Sequence, residues 1–206
     1  MIVLLQIFVL VGITYAFYRR NFMHLTYLYG GFLFVFVLLN YLFIEPVQWQ
    51  QTYLKTSLLV ALMIIILAIL FYIFDFIVLN IIRHNQLILD VPFMFRGEVH
   101  STLFIISMGF AGLEELLFRY YVLKIDSYST TYLLLIGSIC FGLVHLKFSK
   151  YDIFSKTFLG IGCGVVFLFT NNIIYSILFH CTYNFFALKN KKLEGVAYGN
   201  TDKKFG

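Results

Sequence analysis

Long apolar runs separated by short polar breaks set the pattern of this chain. The runs cover residues 2–18, 25–44, 54–82, 101–123, 132–146, 157–170 and 173–188. At roughly 20 residues per spanning helix, about seven runs of this kind predict seven membrane-crossing helices. The breaks carry recognisable punctuation: Arg19 and Arg20 close the first run, Glu45 and Pro46 the second, and Asn171 and Asn172 form a tight turn between the last two. The loop from Pro46 to Tyr53 holds Trp49 and Tyr53, residue types that favour the membrane–water interface. Between residues 83 and 100 the pattern fails. Pro92 and Gly97 are turn signals there, and the stretch is read as a connector lying partly in the interface. The first run lacks a basic leader and a small-residue cleavage site, so it is expected to remain a span.

Composition agrees. The chain has 206 residues, of which 61% are hydrophobic and 12% charged, too little charge for the surface of a soluble domain of that size. The expected fold class is therefore all-α, a polytopic membrane helical bundle. It divides into N-terminal helices with their connector (residues 1–100), a core (101–188) and a mobile basic tail (189–206). The net charge of +5 does not point to nucleic acid, because the basic residues cluster in the breaks. With seven spans, one side collects Arg19, Arg20, Arg83, Arg96, Lys147, Lys150, Lys156 and the five tail lysines, whereas the other holds Lys55 and Lys124. That asymmetry predicts an outside N-terminus, a cytoplasmic C-terminus and a position in the cell membrane, read as a bacterial cytoplasmic membrane.

Against this background Glu114, Glu115 and Arg119 stand out. They lie inside an apolar run, where ionisable groups are costly and mark a function by default. Glu115 and Arg119 are four apart and share a helical face, which predicts a structural pair. Glu114 points about 100° further round and is left available. The later runs add His145, and then His180 and Asn184 on one face. Counting about 1.5 Å per residue from the nearest turns puts Glu114 and His145 about 21 and 25 Å deep, and His180 and Asn184 about 13 and 19 Å deep. With tilt, all four can share one layer. A carboxylate beside a histidine can take a proton from water as it attacks a carbonyl. An imidazole and a carboxamide can donate to the oxyanion that forms. Glu114, His145 and His180 can alternatively ligate zinc with a position open for water, although no HExxH is present.

The motifs Glu114-Glu115-x-x-x-Arg119, Phe141-x-x-x-His145 and His180-x-x-x-Asn184, in this order on three runs, resemble those of the CPBP family, the CAAX-protease and bacteriocin-processing (Abi) intramembrane endopeptidases. The resemblance implies that Glu114 and His145 activate water and that His180 and Asn184 form the oxyanion site. It leaves Glu115 and Arg119 to orient the helix. It implies hydrolysis of a peptide bond in a membrane-embedded or lipid-anchored substrate, by glutamate rather than metal, with zinc as the alternative. By analogy with small members of the family, the process is bacteriocin immunity or peptide processing.

Two other classes compete. A non-catalytic immunity or binding protein would use the same polar residues as interhelical glue. A proton-coupled transporter would use Glu114 and Asp75, but no inverted repeat is evident. Asp75 has no motif partner and is expected to reach the interface. Cys140, Cys163 and Cys181 are expected to be small buried residues without disulfides, and Gly160, Gly162 and Gly164 to allow close helix packing.

Overall fold

A computed structural model describes residues 1–18, 25–44, 54–84, 101–146 and 150–199. Among these it contains seven α-helices: α1 (Ile2–Tyr18), α2 (Leu25–Phe43), α3 (Leu54–His84), α4 (Ser101–Glu115), α5 (Thr130–Leu143), α6 (Lys150–Thr170) and α7 (Ile173–Gly199). A π-helical turn, Leu116–Tyr121, continues α4. The Arg19–Arg20 stop, the interface loop and the connector around Pro92 and Gly97 lie outside the described residues.

The outer surface is apolar. On α3, Leu59, Met63, Ile66 and Leu70 are all more than 45% exposed, and they recur at helical spacing. Meanwhile Asp75, Glu114, Glu115, Arg119 and His180 are buried. This distribution is the reverse of a soluble protein's and suits a hydrocarbon surround. Among the described residues, four helices are long and apolar enough to cross a membrane, within Thr26–Phe43, Ser57–Leu79, Ser101–Tyr121 and Asp152–Thr170. The protein is a helical, multi-pass membrane protein.

Helix α7 is the central post, packed against α3, α4 and α6, while α5 lies along α6. The α1–α2 pair rests on α4 and its π-turn. A buried hydrogen bond of 2.8 Å from Asn40 Nδ2 to Gln6 Oε1 fastens α1 to α2. The Asn171–Asn172 turn forms as expected. Asn171 takes a left-handed conformation at φ 48°, which asparagine tolerates. Asn172 Oδ1 then accepts from Ile174 N and caps α7.

Three boundaries differ from expectation. Helix α5 stops at Leu143, so His145 sits just beyond the helix in a tightened turn, its N–H bonded to Gly142 O at 3.0 Å. Helix α6 starts at Lys150, seven residues early, which brings Asp152 and Lys156 into the bundle rather than leaving them in a loop. Helix α7 runs on through Gly199, past Lys189 where the tail is expected to begin. Residues 200–206 lie outside the described residues.

Glycines set the α5–α6 spacing. A Cβ on Gly142 would come within 2.6 Å of Ile153 O and 3.1 Å of Thr157 N, backbone atoms that cannot swing aside. Gly160 likewise lies against Ser138 and the Arg119 guanidinium, and the three cysteines are buried and free. Gly142→Leu should therefore lower the thermal midpoint of the purified protein strongly, by overpacking worth about 1–3 kcal/mol or more. Gly31→Leu, at a position where a Cβ meets nothing within 4 Å, is the matched control and should not. Equal midpoints would contradict the tight interface.

Candidate active site

The site is built where α4 passes into its π-turn. A π-turn widens the helix and is often found at functional positions. Here it buries five side chains in succession, from Leu117 to Tyr121, Arg119 among them. Its guanidinium lies 3.3 Å from Glu115 Oε1 and 4.4 Å above the Phe141 ring. The expected Glu115–Arg119 pair is therefore formed, fully buried.

Glu115 has two further partners. Ser176 Oγ donates to its Oε2 at 2.6 Å, and His180 Nδ1 meets its Oε1 at 2.8 Å. Ser176, His180 and Asn184 follow one another at four-residue spacing along α7, a polar stripe visible in the sequence although only its last two members were singled out.

Glu114 faces a different space. Its Oε1 lies 3.7 Å from His145 Nε2, and its Oε2 lies 3.8 Å from His180 Nε2. The opposite nitrogen of each ring is already engaged. His145 Nδ1 bonds to Phe141 O at 2.8 Å, and since a carbonyl only accepts, that nitrogen carries the proton. His180 Nδ1 donates to the Glu115 carboxylate by the same logic. In the neutral rings both Nε2 lone pairs are thus aimed towards Glu114. Phe141 explains why a phenylalanine precedes His145 by four residues. Its ring packs edge-on against both imidazoles, with centroids 4.8 and 5.6 Å away, and carries the Arg119 guanidinium on its face.

Asn184 lies one turn beyond His180 and has different partners. Its Oδ1 accepts from Lys156 Nζ, and its Nδ2 donates to Ser107 Oγ, both at 3.3 Å. A lysine only donates, which fixes the carboxamide with its oxygen towards Lys156. Glu114, His145 and His180 are therefore brought together, while Asn184 borders them one turn away.

Asp75 is enclosed by neighbouring helices. It is buried, and its Oδ2 accepts from Ser155 Oγ at 2.7 Å and from Tyr183 Oη. This polar knot joins α3, α6 and α7 one residue from Asn184. The early start of α6 delivers Ser155 to it.

For a metal, one compact donor set exists among the described residues. Glu115, Cys163 and His180 offer atoms within 4.8 Å of one another. That set is poorly suited, because Arg119, Ser176 and the proton on His180 Nδ1 already occupy Glu115. The Glu114, His145 and His180 donors do not all come within that distance of one another, although each Nε2 faces a Glu114 oxygen and each ring is oriented by a second partner in the manner of metal-ligating histidines.

No curated protein and no solved structure matches the chain. The model of the type II CAAX prenyl endopeptidase Rce1-like family matches residues 97–186. All six residues of the three motifs that carry charge or amide groups, from Glu114 to Asn184, fall within it. The segment that holds the buried carboxylates and both histidines is thus similar to the type II CAAX prenyl endopeptidase Rce1-like family.

Proposed function

We propose that the protein is an intramembrane endopeptidase in which Glu114 drives the attack of water on a peptide bond of a membrane-embedded or lipid-anchored substrate. The observation that carries this reading is the gap between Glu114 Oε1 and His145 Nε2. Two acceptors 3.7 Å apart can both lie about 2.8 Å from a single water oxygen. A water held there gives one proton to each acceptor and turns its lone pairs outwards, towards a carbonyl carbon.

The steps then follow. The water oxygen bonds to the carbonyl carbon as its proton passes to Glu114, and the carbonyl electrons move onto oxygen. In this reading His180 Nε2 and Asn184 Nδ2 stabilise that oxyanion, Asn184 after releasing Ser107. His180 can donate from Nε2 only when both ring nitrogens are protonated, because Nδ1–H is committed to Glu115. Collapse breaks the C–N bond, and Glu114 returns its proton to the leaving amine. The new carboxyl group gives up its own proton, so the enzyme ends as it began.

A second reading is favoured by the two Nε2 atoms that each face a Glu114 oxygen. Glu114, His145 and His180 would hold zinc, which would supply Lewis-acid polarisation of the water or carbonyl. The same residues serve either chemistry, and glutamate is preferred because the gap between Glu114 and His145 suits a water without a metal. The name of the matched family makes a prenylated C-terminal peptide the first substrate to try. The narrower reading, bacteriocin immunity or peptide processing across a bacterial cytoplasmic membrane with the C-terminus inside, rests on the resemblance and on the arrangement of basic residues.

Glu114→Gln keeps the shape of the side chain but removes the base. In proteoliposomes, cleavage of a quenched prenylated peptide, an acylated peptide and an unmodified transmembrane peptide should fall at least about 100-fold in this variant at equal protein level. Wild-type rates in Glu114→Gln would leave a non-catalytic binding role as the better account, as would a wild-type protein that cuts none of the three. Chelation separates the two chemistries. Under the glutamate reading, dialysis against a strong chelator leaves turnover unchanged while His145→Ala abolishes it. Loss on chelation that zinc restores would instead establish the metal.

A further inference from the structure

The matched family segment does not contain the whole of Glu114's surroundings. Tyr29, on α2 and far outside residues 97–186, donates its hydroxyl to Glu114 Oε1 at 2.8 Å. The phenol is buried, 3% exposed, so water does not compete for the carboxylate at this point. We propose that Tyr29 is a positioning residue for Glu114, so that the N-terminal helix pair forms part of the catalytic unit. The proposal rests on the reading of Glu114 as the base.

The packing around Tyr29 is specific. Its ring stacks on Phe110 of α4, with centroids 6.2 Å apart and planes 21° from parallel. The next residue, Gly30, makes room for that ring: a Cβ there would come within 2.6 Å of Phe110 Cε1. Phe110 lies four residues before Glu114 and so shares its helical face. One turn of α4 thus carries both the plate that holds the Tyr29 ring and the carboxylate that receives its hydroxyl. Such a side chain has one direction to point, and the hydrogen bond then restricts Glu114 to one rotamer.

The two acids are consequently stabilised in different ways. Glu115 is neutralised by Arg119 and tied by Ser176 and His180. Glu114 receives a neutral hydroxyl, which holds an ionised oxygen in place without cancelling its charge. That is what a base requires: it must be fixed yet remain able to accept a proton. Tyr29 holds Oε1, the same oxygen that faces His145, and an ionised carboxylate oxygen has a second lone pair for the water. Without the hydroxyl, Glu114 can rotate away from the line between the two imidazoles. Misplacement of a catalytic group by about 1 Å is enough to reduce turnover by about two orders of magnitude.

Tyr29→Phe removes the hydroxyl and keeps the stacked ring. With the peptide that the wild type cleaves best, kcat should fall about 10- to 100-fold, with KM within about twofold and an unchanged thermal midpoint. Phe110→Leu is the structural control: it loosens the stack but leaves the hydroxyl, and should lower the midpoint more than kcat. Glu114→Gln is measured alongside. If Glu114→Gln is inactive while Tyr29→Phe turns over within twofold of wild type, the role of Tyr29 is refuted and the base stands. If Glu114→Gln retains full turnover, or the wild type cleaves nothing, both fall together. A Tyr29→Phe protein whose loss is all in KM, or is matched by a lower thermal midpoint, would make Tyr29 a packing residue and overturn the proposal.

Discussion

Two adjacent carboxylates buried in an apolar bundle form the constraint on which the rest of this structure depends. Each would be costly alone, and side by side they repel. The protein resolves this by treating them unequally. Glu115, at 0% exposure, is enclosed by a guanidinium, a serine hydroxyl and an imidazole from two helices. Removing any of these partners would leave buried charge uncompensated, typically a loss of several kcal/mol. Glu115 therefore fixes the register of α4 against α7, and in doing so fixes the orientation of His180. The pair first visible as a salt bridge also aims an imidazole.

The π-turn follows from the same constraint. Arg119 must reach Glu115 from four residues on while its guanidinium also lies on the face of Phe141, which comes from α5. A widened turn lets five consecutive side chains point into the bundle. The glycines of α5 and α6 then bring those helices close enough to enclose them. Gly160 is a contact of the Arg119 guanidinium itself, so the small-residue stripe and the buried ion pair are parts of one arrangement.

Much of this was legible in the sequence. Long apolar runs announce helices because a bilayer leaves few alternatives, and five of the seven predicted starts coincide with helix starts to the residue: α1, α2, α3, α4 and α7. Charges in an apolar run announce a site for the same energetic reason. What was not legible has physical causes too. Lys156 and Ser155 look like residues of a polar loop because hydropathy alone cannot tell a loop from the amphipathic start of a helix. Asp75 looked solitary because its partners are 80 and 108 residues away. Tyr29 carried no signal at all: among 15 tyrosines, only the packing of α2 on α4 distinguishes it.

The bond lengths divide the site into a fixed half and an exchangeable half. Around Glu115 and Glu114 the hydrogen bonds are 2.6 to 2.8 Å, short and buried. Around Asn184 they are 3.3 Å, at the long end of the useful range, and part-buried. In the proposed reaction this is the needed asymmetry. The groups that hold water must be in place before substrate arrives, whereas the carboxamide must release Ser107 to meet a developing oxyanion. Lys156 keeps the amide oxygen turned away during that exchange, so the amino group remains the one presented. The Asp75–Tyr183–Ser155 knot adjoins both residues and anchors the backbone of α7 beside them. The side chain of Asn184 can then move while the helix that carries it does not.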